Sequence, residues 1–261
     1  MTDDTRPLVR YAVADGVATL TLDSDHNRNA LSRRLIRELL DAVDRALAED
    51  AVRVLLLDHV GRVFCAGADL AETAAAREAG EVPAGDMPAL LAALWDAPKP
   101  VVARVGGAAR AGGLGLIAAC DLVVAARDAT FAFTEVRLGV IPAVISAPVL
   151  RRLPSRAAAE LYLTGDTFDG SRAAALGLLT AAVPADELDA TVERYVSSLV
   201  RGAPGALAGA KALLHGGPPI RPELDALAEL SGSYFLSAEG REGVAAYREK
   251  RAPRWVPPGR D

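Results

Sequence analysis

The sequence predicts an α/β domain that ends in a run of helices, and three observations carry the prediction. Its 261 residues suit one large core and are too few for two full-size catalytic domains. After residue 50 the chain repeats one theme, an apolar strand, a glycine-containing turn and a helix, which is the alternation of α/β sheets. Beyond about residue 145 helical spacing takes over and little β character remains.

The elements follow in order. Two β-type runs within residues 8–22 flank Asp15-Gly16, a dipeptide suited to the positive φ angles of a tight hairpin turn. Ser32 is placed to cap a helix whose apolar residues Leu35, Leu39, Leu40, Val43 and Leu47 fall at helical spacing. Residues 52–60 read as a buried strand. The first repeat joins residues 54–57 through FCAGADL (64–70) to an alanine-rich helix; the second joins residues 101–105 through Gly112-Gly113-Leu114-Gly115 to a short helix ending at Cys120. Residues 121–124 and 130–133 add two short strands. Between the two repeats, residues 72–98 carry Gly80, Pro83, Gly85 and Pro88 and read as including a mobile loop near a site entrance. Helices are expected at residues 157–161, 172–176 and 186–200, with three more after Pro204. The expected division is a core at 1–195 and a helical region at 196–261.

Composition removes several functions. Hydrophobic residues are 51% and charged residues 24% of the chain, which excludes disordered and collagen-like classes. No apolar run reaches membrane-spanning length, and the N-terminal segment MTDDTRPLVR lacks an apolar signal, so the expected compartment is the cytoplasm. The net charge is -5, and 26 of the 29 basic residues are arginine without forming a basic run, so nucleic-acid binding lacks its electrostatic footprint. Cys65 and Cys120 are expected to be free thiols, and His26, His59 and His215 show no metal-ligand spacing.

A glycine-rich turn that opens a helix aims unpaired backbone N–H groups at whatever lies beyond it, and the helix dipole adds partial positive charge there. Two such turns can grip one oxyanion jointly. FCAGADL, then GGLGLIAACDLVVA (112–125), then Glu135 within FAFTEVRLGVIP (131–142), taken together, resemble the enoyl-CoA hydratase/isomerase (crotonase) family. Asn29-Ala30-Leu31 fits that family's NAL signature and YREKRAPRW (247–255) its C-terminal segment, so the resemblance runs over residues 8–255.

The resemblance implies a spiral of repeated ββα units followed by a helical region that builds homotrimers, often paired into hexamers. It implies an acyl-CoA thioester as substrate, with no metal and no cofactor beyond the CoA that the substrate carries. The backbone N–H groups of Ala68 and Gly112 match the pair that holds the thioester oxygen, where charge grows as an enolate forms. Glu135 matches a catalytic glutamate that exchanges a proton with the carbon next to the thioester. Ala66, Asp69 and Leu70 match one wall of the CoA groove and Arg28 and Ala30 the other, while Lys250 and Arg251 are expected to reach the CoA phosphates, across a subunit boundary. Plainer roles compete: a helix first turn for Asp69, a surface pair with Arg137 for Glu135, and a solvated helix end for Lys250 and Arg251.

Two departures matter. Gly115 stands where the typical hydratase has another glutamate, and Ala143-Val144-Ile145-Ser146 replaces a glycine-rich stretch. Both features resemble the methylglutaconyl-CoA hydratase-like subgroup and favour a hydratase working through Glu135. A Δ3,Δ2-enoyl-CoA isomerase using Glu135 alone is the alternative, followed by a non-catalytic acyl-CoA binder. The missing side chain at Gly115 is expected to open space for a branched substrate such as 3-methylglutaconyl-CoA.

Overall fold

The computed structural model describes residues 6–78 and 85–257. Strands β1 (Val9–Ala14) and β2 (Val17–Leu22) form the expected hairpin. Asp15 and Gly16 both take left-handed φ, 48° and 80°, as a two-residue turn matched to strand twist requires. Alternate β2 residues Ala18, Leu20 and Leu22 are fully buried. Helix α1 (Arg33–Ala48) starts at Ser32, whose Oγ accepts the Leu35 N–H at 3.1 Å. Its buried stripe is Leu35, Ile36, Leu39, Ala42, Val43 and Ala46, with Leu40 and Leu47 half-buried at the edge.

The repeats contain one more strand than the residue pattern reveals. β3 (Val54–His59) is followed by β4 (Val63–Cys65), then α2 (Leu70–Glu78) and α3 (Met87–Trp95). β5 (Val101–Val105) is followed by β6 (Ala108–Arg110) and α4 (Gly112–Ala119), and β7 (Leu122–Ala126) by β8 (Thr130–Ala132) and α5 (Ala143–Val149). β4 and β6 are only three residues long, too short to display alternation, which is why the pattern showed a turn there. The longer strands supply five neighbours of a six-stranded sheet, in the order β1-β2-β3-β5-β7, parallel after the first pair. The short strands build a separate sheet in which β4, β6 and β8 are parallel neighbours. The fold is thus the ββα spiral, with three adjacent short strands ending side by side.

Residues 85–98 do not form the expected loop. Pro88 sits in the first turn of α3, where a missing N–H costs nothing, and Met87, Leu90, Leu91, Leu94 and Trp95 are buried. Gly80 and Pro83 lie outside the described residues. The C-terminal part is also less uniformly helical than expected. Between α6 (Ser155–Thr164) and α7 (Gly170–Ala175), β9 (Phe168–Asp169) pairs antiparallel to β8. β10 (Ala181–Val183) then extends the large sheet beside β7, before α8 (Leu188–Val200). The three closing helices are α9 (Pro204–His215), α10 (Arg221–Phe235) and α11 (Ala238–Glu249). α9 docks through the buried Lys211, whose Nζ lies 2.8 Å from Asp121 Oδ2, and through His215, stacked 4.1 Å from Trp95.

One buried side chain ties the 24–31 loop to this framework. Asn29 takes a left-handed φ of 52°, which asparagine tolerates better than most residues, and is fully buried. Its Oδ1 accepts the Ser24 N–H at 2.8 Å, and its Nδ2 donates to Val60 O at 3.1 Å and Val63 O at 2.8 Å. Asn29→Ala removes all three and strands the Ser24 N–H, while Val60 O keeps the His59 ring at 3.2 Å, so a loss of about 1–3 kcal/mol is expected in urea unfolding. A change under about 0.5 kcal/mol would show that the loop is held by something else.

Candidate active site

The residues after β4, β6 and β8 converge because the three strands are parallel neighbours. Ala66 to Ala68 follow β4, Ala111 and Gly112 follow β6, and Thr134 and Glu135 follow β8. Ligands in α/β sheets bind beyond such carboxyl ends. Here a cavity of about 800 Å³ lies there, closed on its far side by residues of α5, α10 and α11.

Two backbone donors open onto it. Leu31 forms a parallel bridge with Ala68, its N–H donating to Gly67 O at 2.8 Å and its O accepting the Asp69 N–H at 3.4 Å. In such a bridge the residue between those partners turns its own N–H the other way. The Ala68 N–H accordingly has no partner among the described residues, and Ala68 lines the cavity. Gly112 lines it too, and its N–H belongs to the first turn of α4, where no carbonyl precedes it.

Close backbone contact fixes these two loops against each other. Gly67 has φ +89°, and a Cβ there would sit 3.1 Å from Ala111 Cβ and 3.2 Å from Arg110 O. Ala111 itself takes φ 47° and ψ −117°, a sparsely populated conformation that costs about 1–3 kcal/mol, and its N–H donates to Ala132 O at 3.1 Å. Gly112 has no room for a side chain either, since a Cβ would lie 2.6 Å from Leu31 Cδ1.

Glu135 begins a 3-10 turn (Glu135–Leu138), lines the cavity and is only 8% exposed. Its Oε2 has no hydrogen-bond partner. Burial pushes its carboxyl up to about 7, against a smaller lowering by its own backbone N–H. The surface pair with Arg137 does not form, because Arg137 is engaged by Asp166 and by Thr164 O. Behind Glu135, the Tyr162 ring packs 4.7 Å from Phe133, and burial pushes its phenol up.

Arg28, Ala30, Ala66, Asp69 and Leu70 all line the same cavity. Asp69 also caps α2, its Oδ1 accepting the N–H groups of Ala71 at 2.9 Å and Glu72 at 3.2 Å, so the helix-turn reading of this residue holds together with its place on the wall. Lys250 is not brought to the cavity: it is exposed and closes α11 with φ 53°. Arg251 does line the cavity, but its guanidinium is held by Glu242 and Glu249. Cys65 and Cys120 are free and buried, their thiols pushed up to about 12, which leaves them unreactive. No group of three metal-ligating side chains occurs among the described residues.

The space expected at Gly115 is filled. A Cβ there would lie 2.4 Å from Ile145 Cγ2, and it is Ile145, not Gly115, that lines the cavity. Ile145 is thirty residues away in sequence, on α5, so nothing local announced it. Where a second carboxylate was absent from the sequence, the site has a hydrocarbon wall.

The architecture and this site define a protein of the crotonase fold. The chain belongs to the enoyl-CoA hydratase/isomerase family, whose model matches residues 12–257. It is similar to the solved enoyl-CoA hydratase from Mycobacterium avium, at 44% identity and a TM-score of 0.85, over 96% of this chain and all of that one. It is 35% identical to the "Probable enoyl-CoA hydratase" of Rhodobacter capsulatus, over 95% of this chain and 97% of the relative. A mevalonyl-coenzyme A hydratase of Aspergillus fumigatus is 31% identical, over 92% of each chain.

Glu135 also couples the site to stability. Its carboxyl titrates near 4.5 when unperturbed and near about 7 in the fold, so between those pH values the folded state binds the extra proton and stability falls as pH rises. Glu135→Gln cannot ionise. Relative to wild type it should gain about 3 kcal/mol between about pH 4.5 and about pH 8 in paired urea titrations. A difference that stays flat across that range would place the carboxyl in a wetter setting than the structure gives it.

Proposed function

We propose that the protein is an enoyl-CoA hydratase that adds water reversibly across the 2,3 double bond of an enoyl-CoA thioester. The observation that carries this reading is the shared cavity: one buried, unpaired carboxyl, Glu135, lies in it with two free backbone donors, Ala68 and Gly112. In the hydration step Glu135 as carboxylate accepts a proton from water while the water oxygen bonds to C3. Electrons move onto the thioester oxygen, where the two N–H groups hold the enolate. Glu135 then returns the proton to C2 and the carbonyl re-forms, which balances the addition of one water. A carboxyl near 7 suits both halves of that exchange at neutral pH. Arg28, Ala30, Ala66, Asp69 and Leu70 serve as the walls for the CoA portion. Relatives named as enoyl-CoA hydratases support the reading.

A second reading is favoured by Ile145. With hydrocarbon where a second carboxylate would hold water, Glu135 alone can carry a proton between C4 and C2, which is a Δ3,Δ2-isomerase. Either activity belongs to fatty acid and related acyl-CoA metabolism. We also infer a homotrimer or a pair of trimers in the cytoplasm, supported on the assembly side by Leu213 and Leu214 on α9, 86% and 84% exposed.

Assays in ¹⁸O-water decide between the two reactions. A 2-enoyl-CoA should yield labelled 3-hydroxyacyl-CoA, with turnover falling about 10²- to 10⁴-fold in Glu135→Gln and CoA-ester affinity nearly unchanged. Conversion of a 3-enoyl-CoA without label, and no hydration, would establish the isomerase; a mutant above half of wild-type turnover would remove Glu135 from the mechanism.

A branched acyl group such as 3-methylglutaconyl is the narrower form of this proposal, and the mevalonyl-coenzyme A hydratase among the relatives supports it. Its room depends on Ile145 rather than on Gly115. Ile145→Val removes one methylene, worth about 0.8 kcal/mol of packing, so the kcat/KM ratio of a 3-methyl ester to its linear parent should rise about fourfold. An unchanged ratio would mean that the branch does not meet this wall.

A further inference from the structure

Eight polar side chains are buried in the described residues: Ser24, Asn29, Ser32, His59, Thr73, Glu135, Lys211 and Ser231. Six are engaged by protein partners. Ser24 donates to Asn27, Asn29 makes three bonds, and Ser32 caps α1. His59 accepts from Gly106, Thr73 donates to Asp69 O, and Lys211 pairs with Asp121. The two that remain are Glu135 and Ser231, and both line the same cavity.

Ser231 lies on α10, 6% exposed, on the face that also buries Leu224. Its hydroxyl makes no hydrogen bond among the described residues, not even the common one to the carbonyl four residues back. Nor is it among the polar atoms sealed from solvent without a partner, which are those of Tyr11, Arg53 and Glu135. It therefore opens onto the cavity. The helices that line the cavity with it also contribute apolar residues, Val144 and Ile145 on α5, Met87 on α3 and Val244 on α11.

We propose that Ser231 is a specificity-determining residue that donates a hydrogen bond to an oxygen substituent on the acyl chain of the substrate. The inference rests on the acyl-CoA reading of this cavity and deepens it. An acyl group filling the cavity excludes water from the hydroxyl. A plain alkyl chain then leaves the donor stranded, whereas a chain carrying a carbonyl oxygen restores the bond, and sites of this kind discriminate against the analogue that lacks the polar atom.

Saturated thioesters test this without any turnover. The Kd of hexanoyl-CoA, 4-oxohexanoyl-CoA and 5-oxohexanoyl-CoA is measured by calorimetry on wild type and on Ser231→Ala. At least one oxo ester should bind wild type about three- to tenfold more tightly than hexanoyl-CoA, and that ratio should fall to near one in Ser231→Ala, with hexanoyl-CoA affinity kept or improved. Equal binding of all three esters to wild type, or an oxo preference that survives the mutation, overturns the assignment. A purely structural serine would weaken all three esters alike, which also overturns it. Failure of all three esters to bind would instead refute the acyl-CoA reading, so the two failures are distinct. A Ser231→Thr variant, which keeps the hydroxyl, should retain the preference and guards against misreading a repacked helix.

Discussion

The contact between Gly67 and Ala111 is the constraint on which the rest of the site depends. Two loops from successive repeats meet there with no side chain between them on one side and a strained alanine on the other. Any larger residue at Gly67 would need both a forbidden φ and a displacement of Ala111. Because the loops touch, the Ala68 and Gly112 N–H groups are set relative to each other by backbone packing rather than by flexible side chains. Preorganised donors of that kind do not have to reorient when charge develops.

The spiral is what delivers this contact. Each repeat contributes one long strand to the large sheet and one short strand to the small one, so β4, β6 and β8 end together although Cys65 and Thr130 are far apart in the chain. The large sheet, with its fully buried Leu20, Leu55, Leu57 and Val102, supplies the rigidity. The small sheet supplies position. Asn29 then anchors the loop that carries Leu31, and Leu31 in turn occupies one side of the Ala68 peptide and fills the space that a Gly112 side chain would need.

How much of this was legible in the sequence differs by residue for physical reasons. The Asp15-Gly16 hairpin and the Ser32 cap depend on local conformation and local hydrogen bonds, so a few residues encode them. The donors at Ala68 and Gly112 and the carboxyl at Glu135 were legible only because their motifs resemble a family; a three-residue strand such as β6 has no periodicity of its own. Ile145 was not legible at all, since the absence of a side chain at Gly115 says nothing about which distant side chain fills the gap. Ser231 escaped for a related reason: a lone serine in a helix carries no signal until the neighbours that fail to bond it are known. Pro88 misled in the opposite direction, because proline breaks a helix in its interior but is at home in its first turn.

The distribution of unpaired polar atoms then orders the site into regions with different tasks. Backbone donors at Ala68 and Gly112 face one part of the cavity, and the carboxyl of Glu135 shares it, while α5 and α10 turn hydrocarbon toward the remainder with Ser231 set among it. A protein interior rarely leaves such groups without partners, since a buried unsatisfied donor or acceptor costs about 1–3 kcal/mol. Here four of them belong to residues that line one cavity, while Asn29, Ser32, Thr73 and Lys211 are satisfied by the chain itself. Among the described residues, Tyr11 Oη and Arg53 Nε are also buried without a partner away from the cavity, but only at the cavity do leftover groups of different kinds come together: donors for an oxyanion, a carboxyl for a proton, and one hydroxyl for an oxygen on the acyl chain.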